Sequence, residues 1–178
     1  MEPAPRRRTL VLVAHPDLPA SRVTAHLAEA AGALEDTTVH DLAAAYPDGR
    51  ISVTDEQRLL VEHDRIVWLF PWHWYSVPSA LKAWMDQVLV YGFAYGAGGT
   101  ALHGKELQLV TSTGGPESSY APDGHNGFTM GELLAPIAAT ANLTGMRLAE
   151  PLVLFGARTA SDEELGLHAE RCLALLAA

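Results

Sequence analysis

The feature of this sequence that most constrains its fold is one stretch, residues 66–88, which reads IVWLFPWHWYSVPSALKAWMDQV. It opens with an unbroken apolar run at residues 66–70, which is typical of a strand buried on both faces of a parallel sheet. A loop of mostly aromatic residues follows at 71–76, and residues 79–88 have the spacing of an amphipathic helix. Open α/β sheets bind ligands beside the carboxyl ends of their strands, so this loop predicts a site for a flat, π-rich ligand.

The rest of the chain alternates between strand and helix patterns. We predict strands at residues 9–14, 37–41, 66–70, 107–111 and 147–155, helices at about 21–33, 54–62, 79–88, 128–143 and 162–178, and loops at 42–53, 91–104 and 117–127. This alternation predicts a flavodoxin-like three-layer α/β/α sandwich around a five-stranded parallel sheet of order 2-1-3-4-5. Pro151 indicates an edge or a bulge in the last strand. We expect a single domain over residues 1–178, with residues 1–8 as a flexible tail.

Single residues mark where some of these elements begin or are interrupted. Thr54 with Gln57, and Ser161 with Glu164, have the spacing of capping boxes, in which each side chain bonds the other residue's backbone N–H. Pro136 is expected to break or kink the helix in which it lies, because proline has no N–H for the helical hydrogen bond.

The composition excludes several classes of protein. The formal net charge is −9 and the sequence pI about 5.2, whereas a nucleic-acid-binding protein needs a basic surface. Cys172 is the only cysteine, so no intrachain disulfide, cysteine-based metal site or dithiol pair is expected, and we predict no metal site. No run approaches the roughly 18 apolar residues of a membrane span, and no signal peptide is evident. We therefore expect a cytoplasmic protein, either free or at the inner face of the membrane.

The predicted strand order places three unusual loops side by side. The first, third and fourth strands are neighbours in this order, so the loops at residues 15–21, 71–76 and 112–115 converge at their carboxyl ends. The first loop leads into a helix N-terminus, which favours an anion such as phosphate. Ser21 can add a hydroxyl there, although it can equally serve only as the cap of its helix.

The other two loops suit an aromatic ring. The second loop offers aromatic side chains, and Gly114 and Gly115 in the third have no Cβ to block the approach of a ligand. A phosphate on the first loop with a ring held between the other two describes a site for flavin mononucleotide.

These residues resemble a known family, the flavodoxin-like NAD(P)H:quinone oxidoreductases, which include mammalian DT-diaphorase. The segments that carry the resemblance are AHP at 14–16, YPD at 46–48, PWHWYSVPSALKAWMDQV at 71–88, GFAYGAGGTALHGK at 92–105 and STGGPESSY at 112–120. Within the family, the chain is most similar to the bacterial KefF and KefG branch, the ancillary proteins of glutathione-gated potassium efflux. The segments occur in one order along nearly the whole chain, which makes the resemblance specific.

The resemblance implies a bound flavin, FMN or FAD, with NAD(P)H as co-substrate and a quinone as acceptor. The residues implied to contact the flavin are His15, Ser21, Arg22, Val23, Thr24, Trp72, His73, Trp74, Tyr75, Ser112, Thr113, Gly114 and Gly115. Tyr120 and His125 are implied to line the substrate pocket and to act in catalysis, with the alternative that they are ordinary exposed loop residues left open. The family is typically a homodimer with its site at the subunit interface.

Three functional hypotheses follow. The first is an enzyme that transfers two electrons as a hydride from NAD(P)H through the flavin to a quinone, in a ping-pong sequence. The second is a regulatory subunit that docks on a potassium-efflux membrane protein and has oxidoreductase activity only as a secondary property. The third is a one-electron carrier, which we favour least because the aromatic loop with Tyr120 and His125 suits a second ring.

Overall fold

The computed structural model describes residues 7–177, and its strands form one parallel sheet. The strands are β1 Thr9–Val13, β2 Thr37–Asp41, β3 Arg65–Pro71, β4 Glu106–Ser112, β5 Arg147–Leu148 and β6 Leu152–Leu154. Their order is β2-β1-β3-β4-β5, which confirms the predicted topology. The predicted fifth strand is divided into β5 and β6, which both pair with β4. Pro151 lies between them, where its missing N–H disturbs no ladder.

The helices cover both faces of the sheet. They are α1 Thr24–Gly32, α2 Leu42–Ala45, α3 Val53–Glu62, α4 Ser79–Val88, α5 Met130–Thr144 and α6 Asp162–Ala177. One face of the sheet packs with α3, α4 and α5 around a core that includes Trp68 and Trp84. The other face packs with α1 and α6 around a core that includes Val11 and Leu69. Because β1 is buried throughout its length, it reads as an almost continuous apolar run. Strand β4 is equally buried but includes the polar residues Glu106, Gln108, Thr111 and Ser112.

Of the two capping boxes predicted from the sequence, the structure contains one. Ser161 and Glu164 form the predicted capping box at the start of α6, with each side chain bonded to the other residue's N–H. The predicted capping box of Thr54 and Gln57 is wrong, because α3 begins at Val53 and its N-cap residue is Ser52. Residues 42–45, predicted as loop, form the short helix α2.

Helices α1 and α5 each differ from the sequence-based prediction at one residue, Ser21 in the first case and Pro136 in the second. Helix α1 begins three residues after Ser21, and the Ser21 hydroxyl oxygen accepts the N–H of Thr24 at 3.0 Å. Ser21 therefore holds the helix start without occupying the N-cap position. Helix α5 continues through Pro136, so of the two predicted outcomes, a break or a kink, the break does not occur. Proline removes one helical hydrogen bond there, while Leu134 and Ile137 on either side are buried in the core.

The predicted tail at residues 1–8 falls largely outside the described residues, which begin at Arg7. Arg7 donates a hydrogen bond to Glu106, and the Arg8 carbonyl accepts the N–H groups of Asp64 and Arg65. The described part of the tail is therefore attached to the amino-terminal edge of the sheet.

A buried carboxylate joins the elements at one side of the sheet. Glu56 of α3 has no exposed surface and accepts hydrogen bonds from His40 at 2.7 Å, Tyr46 at 2.6 Å and Trp84 at 2.8 Å. Burial by itself would raise the pKa of Glu56, but these donors outweigh it and hold the pKa below its ordinary value. Burial, and then the hydrogen bond to the same carboxylate, raise the pKa of Tyr46 to about 12.

We predict that Glu56→Gln lowers the free energy of unfolding by about 3 kcal/mol, because the new amide N–H₂ faces hydrogen-bond donors and the buried charge is lost. Urea denaturation monitored by circular dichroism measures the effect. Glu62→Gln on the same helix, where the side chain is exposed, is the matched control and should change stability by less than about 0.5 kcal/mol. Equal effects of the two substitutions would contradict the prediction.

The hydrogen bonds to Glu56 also determine how the stability of the protein changes with pH. The folded-state pKa of Glu56 is lower than its ordinary value of 4.5, so its contribution to stability is complete above that value. The contribution is lost as the pH falls through the folded-state pKa. In Glu56→Gln, the decline of stability below pH 4.5 should therefore be shallower than in the wild type.

Candidate functional site

The sheet brings the three predicted loops to one edge. The backbone continues the strand pairing past the ends of the strands, with Ala14 N–H donating to the Leu69 carbonyl and Trp72 N–H donating to the Ser112 carbonyl, at 2.9 and 2.8 Å. The loops that follow β1, β3 and β4 therefore begin at the same level of the sheet.

These loops enclose a cleft of about 320 Å³. The predicted residues that line it are His15, Ser21, Arg22, Val23, Thr24, Trp72, His73, Ser112, Thr113 and Gly114. Four further residues complete the lining: Ala20, Pro71, Ala157 and Arg158. The cleft thus extends from the start of α1, across the aromatic loop, to the loop after β4.

A second pocket of about 260 Å³ continues along the same two loops. The remaining predicted residues line it, namely Trp74, Tyr75, Gly115, Tyr120 and His125, together with Ser119 and Asn126. All of the predicted site residues therefore lie in these two neighbouring depressions.

The loop after β4 presents unpaired N–H groups. Its carbonyls face the segment after β6: the Thr113 carbonyl accepts Ala157 N–H and the Gly115 carbonyl accepts Gly156 N–H, both at 2.8 Å. The N–H groups of Gly114 and Gly115 donate to no group of the described residues. This segment therefore leaves two adjacent donors available to a ligand, in the manner of an oxyanion-binding site.

The start of α1 also presents free donors. The N–H groups of Arg22 and Val23 have no partner among the described residues, at the positive end of the helix dipole. The Arg22 side chain is differently engaged, because it donates to the Ala160 carbonyl and to Asp162, each at 2.6 Å. Backbone groups, rather than the Arg22 guanidinium, are the available donors at this end of the cleft.

His15 has a defined tautomer in its neutral form. Its Nδ1 accepts the N–H of Asp17 at 3.0 Å, so the ring proton is on Nε2. Burial is the main cause that lowers the pKa of His15, and the charge of the neighbouring His73 lowers it further. At neutral pH, His15 is therefore an uncharged residue whose Nε2–H can donate to a ligand in the cleft.

The cleft is suited to an electron-rich ligand. None of the described residues that line it is acidic, whereas it contains Arg22, Arg158 and two histidines in a chain of net charge −9. The buried indole N–H of Trp72 has no hydrogen-bond partner in the described structure, which is a costly state without a ligand. Within residues 7–177, no group of His, Cys, Asp and Glu side chains is placed to hold a metal ion.

The tip of the aromatic loop is strained. Trp74 and Tyr75 have φ angles of 48° and 61°, in the left-handed region that non-glycine residues rarely adopt. They form a two-residue turn closed by reciprocal hydrogen bonds between the backbones of His73 and Ser76. Trp74 is 94% exposed, so burial of its side chain does not offset the strain. Strain of this kind is characteristic of functional sites.

Tyr120 and His125 lie on the other side of the second pocket. The Tyr120 ring packs against Phe155, with their centroids 5.4 Å apart, and its hydroxyl group has no partner among the described residues. His125 is exposed on the same loop. The Tyr75 hydroxyl donates to the side-chain oxygen of Asn126 at 3.3 Å, which links this loop to the aromatic loop.

Arg158 and Asn126 line the two pockets but are not among the residues predicted from the sequence. Asn126 follows His125 directly, but no spacing rule singles it out. Arg158 follows β6, and a basic residue in a loop after the carboxyl end of a strand was the signal that could have identified it. It was obscured because the final strand is short and interrupted.

The comparisons with known proteins agree with this geometry. Residues 7–176 match the family model described as flavodoxin-like fold. The uncharacterized NAD(P)H oxidoreductase YrkL of Bacillus subtilis is 45% identical over 171 residues, covering 96% of this chain and 98% of its own length. The glutathione-regulated potassium-efflux system ancillary protein KefG of Cronobacter sakazakii is 44% identical over 161 residues, covering 90% of this chain and 88% of its own.

Solved structures of related proteins have a similar fold. General stress protein 14 of Treponema denticola, in complex with FMN, is 39% identical with a TM-score of 0.91, covering 95% of this chain and 97% of its own. An NADPH-quinone reductase from P. pentosaceus is 33% identical with a TM-score of 0.87, covering 96% of this chain and 98% of its own.

The strain in the aromatic loop gives a testable prediction. We expect Trp74→Asn to raise the free energy of unfolding of the ligand-free protein by about 1 kcal/mol, because asparagine tolerates the left-handed conformation better than tryptophan. Trp74→Ala removes the same exposed ring but keeps the strain, and it is the matched control. Urea denaturation measures both variants. If Asn stabilises the protein no more than Ala does, the turn does not store this energy.

Proposed function

This chain belongs to the flavodoxin-like fold family, whose model it matches over residues 7–176, and from this premise we propose that it is a flavin-dependent NAD(P)H:quinone oxidoreductase. The observation that carries the proposal is the junction of three loops that present unpaired donors in a cleft without acidic side chains. The oxidoreductase and quinone reductase names of the relatives, and the FMN of the Treponema denticola protein, support it.

The cleft fits a flavin mononucleotide. The N–H groups of Arg22 and Val23, with the hydroxyl of Ser21, would hold the phosphate at the start of α1. The ring would lie between the aromatic loop and the loop after β4, where the indole N–H of Trp72 lacks a partner. FMN is the group we expect, and FAD is the alternative.

A bound flavin supplies two-electron chemistry, accepting a hydride from NAD(P)H and passing it to a quinone. The chain's own groups position the reactants and stabilise charge. The N–H groups of Gly114 and Gly115 would donate to the carbonyl edge of the ring, where negative charge develops. Trp74 and Tyr75 would cover the reacting rings, and Tyr120 and His125 would donate hydrogen bonds to the quinone oxygen. In this proposal one pocket serves both substrates, so one must leave before the other enters.

We propose that the protein acts as a homodimer in the cytoplasm. Trp74, Tyr75 and Phe128 are large apolar side chains with exposed fractions of 94%, 47% and 55%, and the first two line the second pocket. A second subunit covering this region would complete the pocket and shield these side chains. None of the helices of the described residues has the length and apolar character needed to cross a membrane.

The KefG relative favours a second candidate function. At 44% identity, a protein named as an ancillary component of potassium efflux makes a potassium-efflux membrane protein a candidate partner of this chain. In that case the protein would act at the inner face of the membrane, and the oxidoreductase activity would be secondary. Co-purification with a membrane protein would favour this second function.

The first experiment is the visible spectrum of the purified protein, followed by release and chromatographic identification of the cofactor. We expect the two-band spectrum of an oxidised flavin, which bleaches with NADPH or NADH and returns when a quinone is added. The enzyme proposal would be refuted if the protein stays colourless and gains neither colour nor activity when FMN or FAD is supplied. The ancillary role would then be the remaining candidate.

The roles of Tyr120 and His125 have their own test. We expect the double variant Tyr120→Phe, His125→Ala to lower turnover about 100-fold while flavin affinity stays unchanged, because the two groups face the substrate pocket. Steady-state kinetics and flavin titration measure the two properties. Ser119→Ala, in the same pocket, is the matched control. Unchanged turnover in the double variant would remove both residues from the mechanism.

A further inference from the structure

Arg158 is a cation in the cleft that the structure leaves unpaired. It follows β6, lines the cleft and is exposed. Its side chain makes no hydrogen bond or ion pair with any of the described residues. Arg22, the other arginine of the cleft, is occupied by Ala160 and Asp162. Arg158 is therefore the arginine in the cleft that remains available to a ligand.

The position of Arg158 is set by the loop after β4. Its Nε lies 3.2 Å, and its guanidinium carbon 3.6 Å, from the point that a Cβ on Gly114 would occupy. Gly156 and Ala157, which directly precede it, are hydrogen-bonded to the carbonyls of Gly115 and Thr113 at 2.8 Å. The backbone that carries Arg158 is thus joined to the loop that presents the free N–H groups of Gly114 and Gly115.

We propose that Arg158 is the charge partner of the reduced flavin. This inference rests on the proposed function. It assigns the Arg158 guanidinium to the same edge of the ring as the N–H groups of Gly114 and Gly115, namely N1 and the C2 carbonyl oxygen. Arg158 therefore stabilises the bound reduced flavin more than the bound oxidised flavin.

The charge balance of the reaction explains the preference. NAD(P)H loses a hydride and becomes NAD(P)⁺, and the hydride, two electrons and one proton, forms a new N–H bond at N5 of the neutral oxidised ring. One negative charge remains, shared by N1 and the C2 oxygen. A nearby guanidinium attracts this charge, while its interaction with the neutral oxidised ring is weak. A cation placed instead at the phosphate would act equally on both redox states.

The test compares the two redox states of bound FMN. Flavin-fluorescence titration gives the dissociation constant of the oxidised form, and a reductive titration against a redox dye gives the midpoint potential. We expect Arg158→Gln to weaken the reduced form at least tenfold more than the oxidised form. For a two-electron couple this is a fall of the midpoint potential of about 30 mV.

Two further variants serve as controls. Arg158→Lys keeps the positive charge and should recover most of the lost potential. Arg171→Gln removes an exposed arginine on α6 that does not line the cleft, and it should change neither quantity. Because Arg158 is exposed and unpaired, the substitutions should leave the stability of the fold unchanged.

Two results would overturn the proposal. Equal weakening of both forms in Arg158→Gln, with the potential unchanged, would show that the charge acts on the phosphate. No change in either quantity would show that Arg158 does not interact with the flavin. Failure of the wild-type protein to bind FMN or FAD at all would instead refute the proposed function, so the two failures are distinguishable.

Discussion

The parallel register of β1, β3 and β4 is the constraint on which the site depends. These neighbouring strands are covered by helices on both faces, so their side chains are committed to the core and only the loops beyond their ends can reach a ligand. Because the strands run the same way, three successive loops emerge together. The cleft at this edge is lined by segments far apart in sequence, such as those of Ser21, Trp72 and Gly114.

The loops carry out their role mainly through backbone geometry. In the loop after β4, hydrogen bonds from the segment after β6 occupy the carbonyls and leave the N–H groups of Gly114 and Gly115 free. In the aromatic loop, the left-handed Trp74 and Tyr75 hold their rings outwards at an energetic cost. Both arrangements exist before any ligand binds, so the ligand need not provide the energy to form them.

The features predicted correctly from the sequence are those that depend on strong local patterns. Long apolar runs specified β1 and β3, and the loops after β1, β3 and β4, together with the start of α1, contained every residue expected at the site. The errors lie where tertiary packing decides. Buried neighbours keep α5 intact through Pro136, and α3 takes Ser52 as its N-cap although Thr54 has the better pattern. Arg158 could not be assigned from its sequence position alone, since its place beside Gly114 depends on the backbone hydrogen bonds that Gly156 and Ala157 make to the loop after β4.

The described side chains that line the cleft are basic or neutral, although the chain as a whole has a negative net charge. A chain with a net charge of −9 would repel an anionic cofactor at long range, yet the described lining of the cleft contains no carboxylate. At distances shorter than the ~8 Å Debye length of physiological salt, local donors outweigh distant surface charges. The Arg22 guanidinium is neutralised by Asp162, so the local field comes from backbone dipoles, His15 and Arg158. The backbone donors can serve a ligand in either redox state, whereas the full charge of Arg158 distinguishes a neutral ring from a negative one.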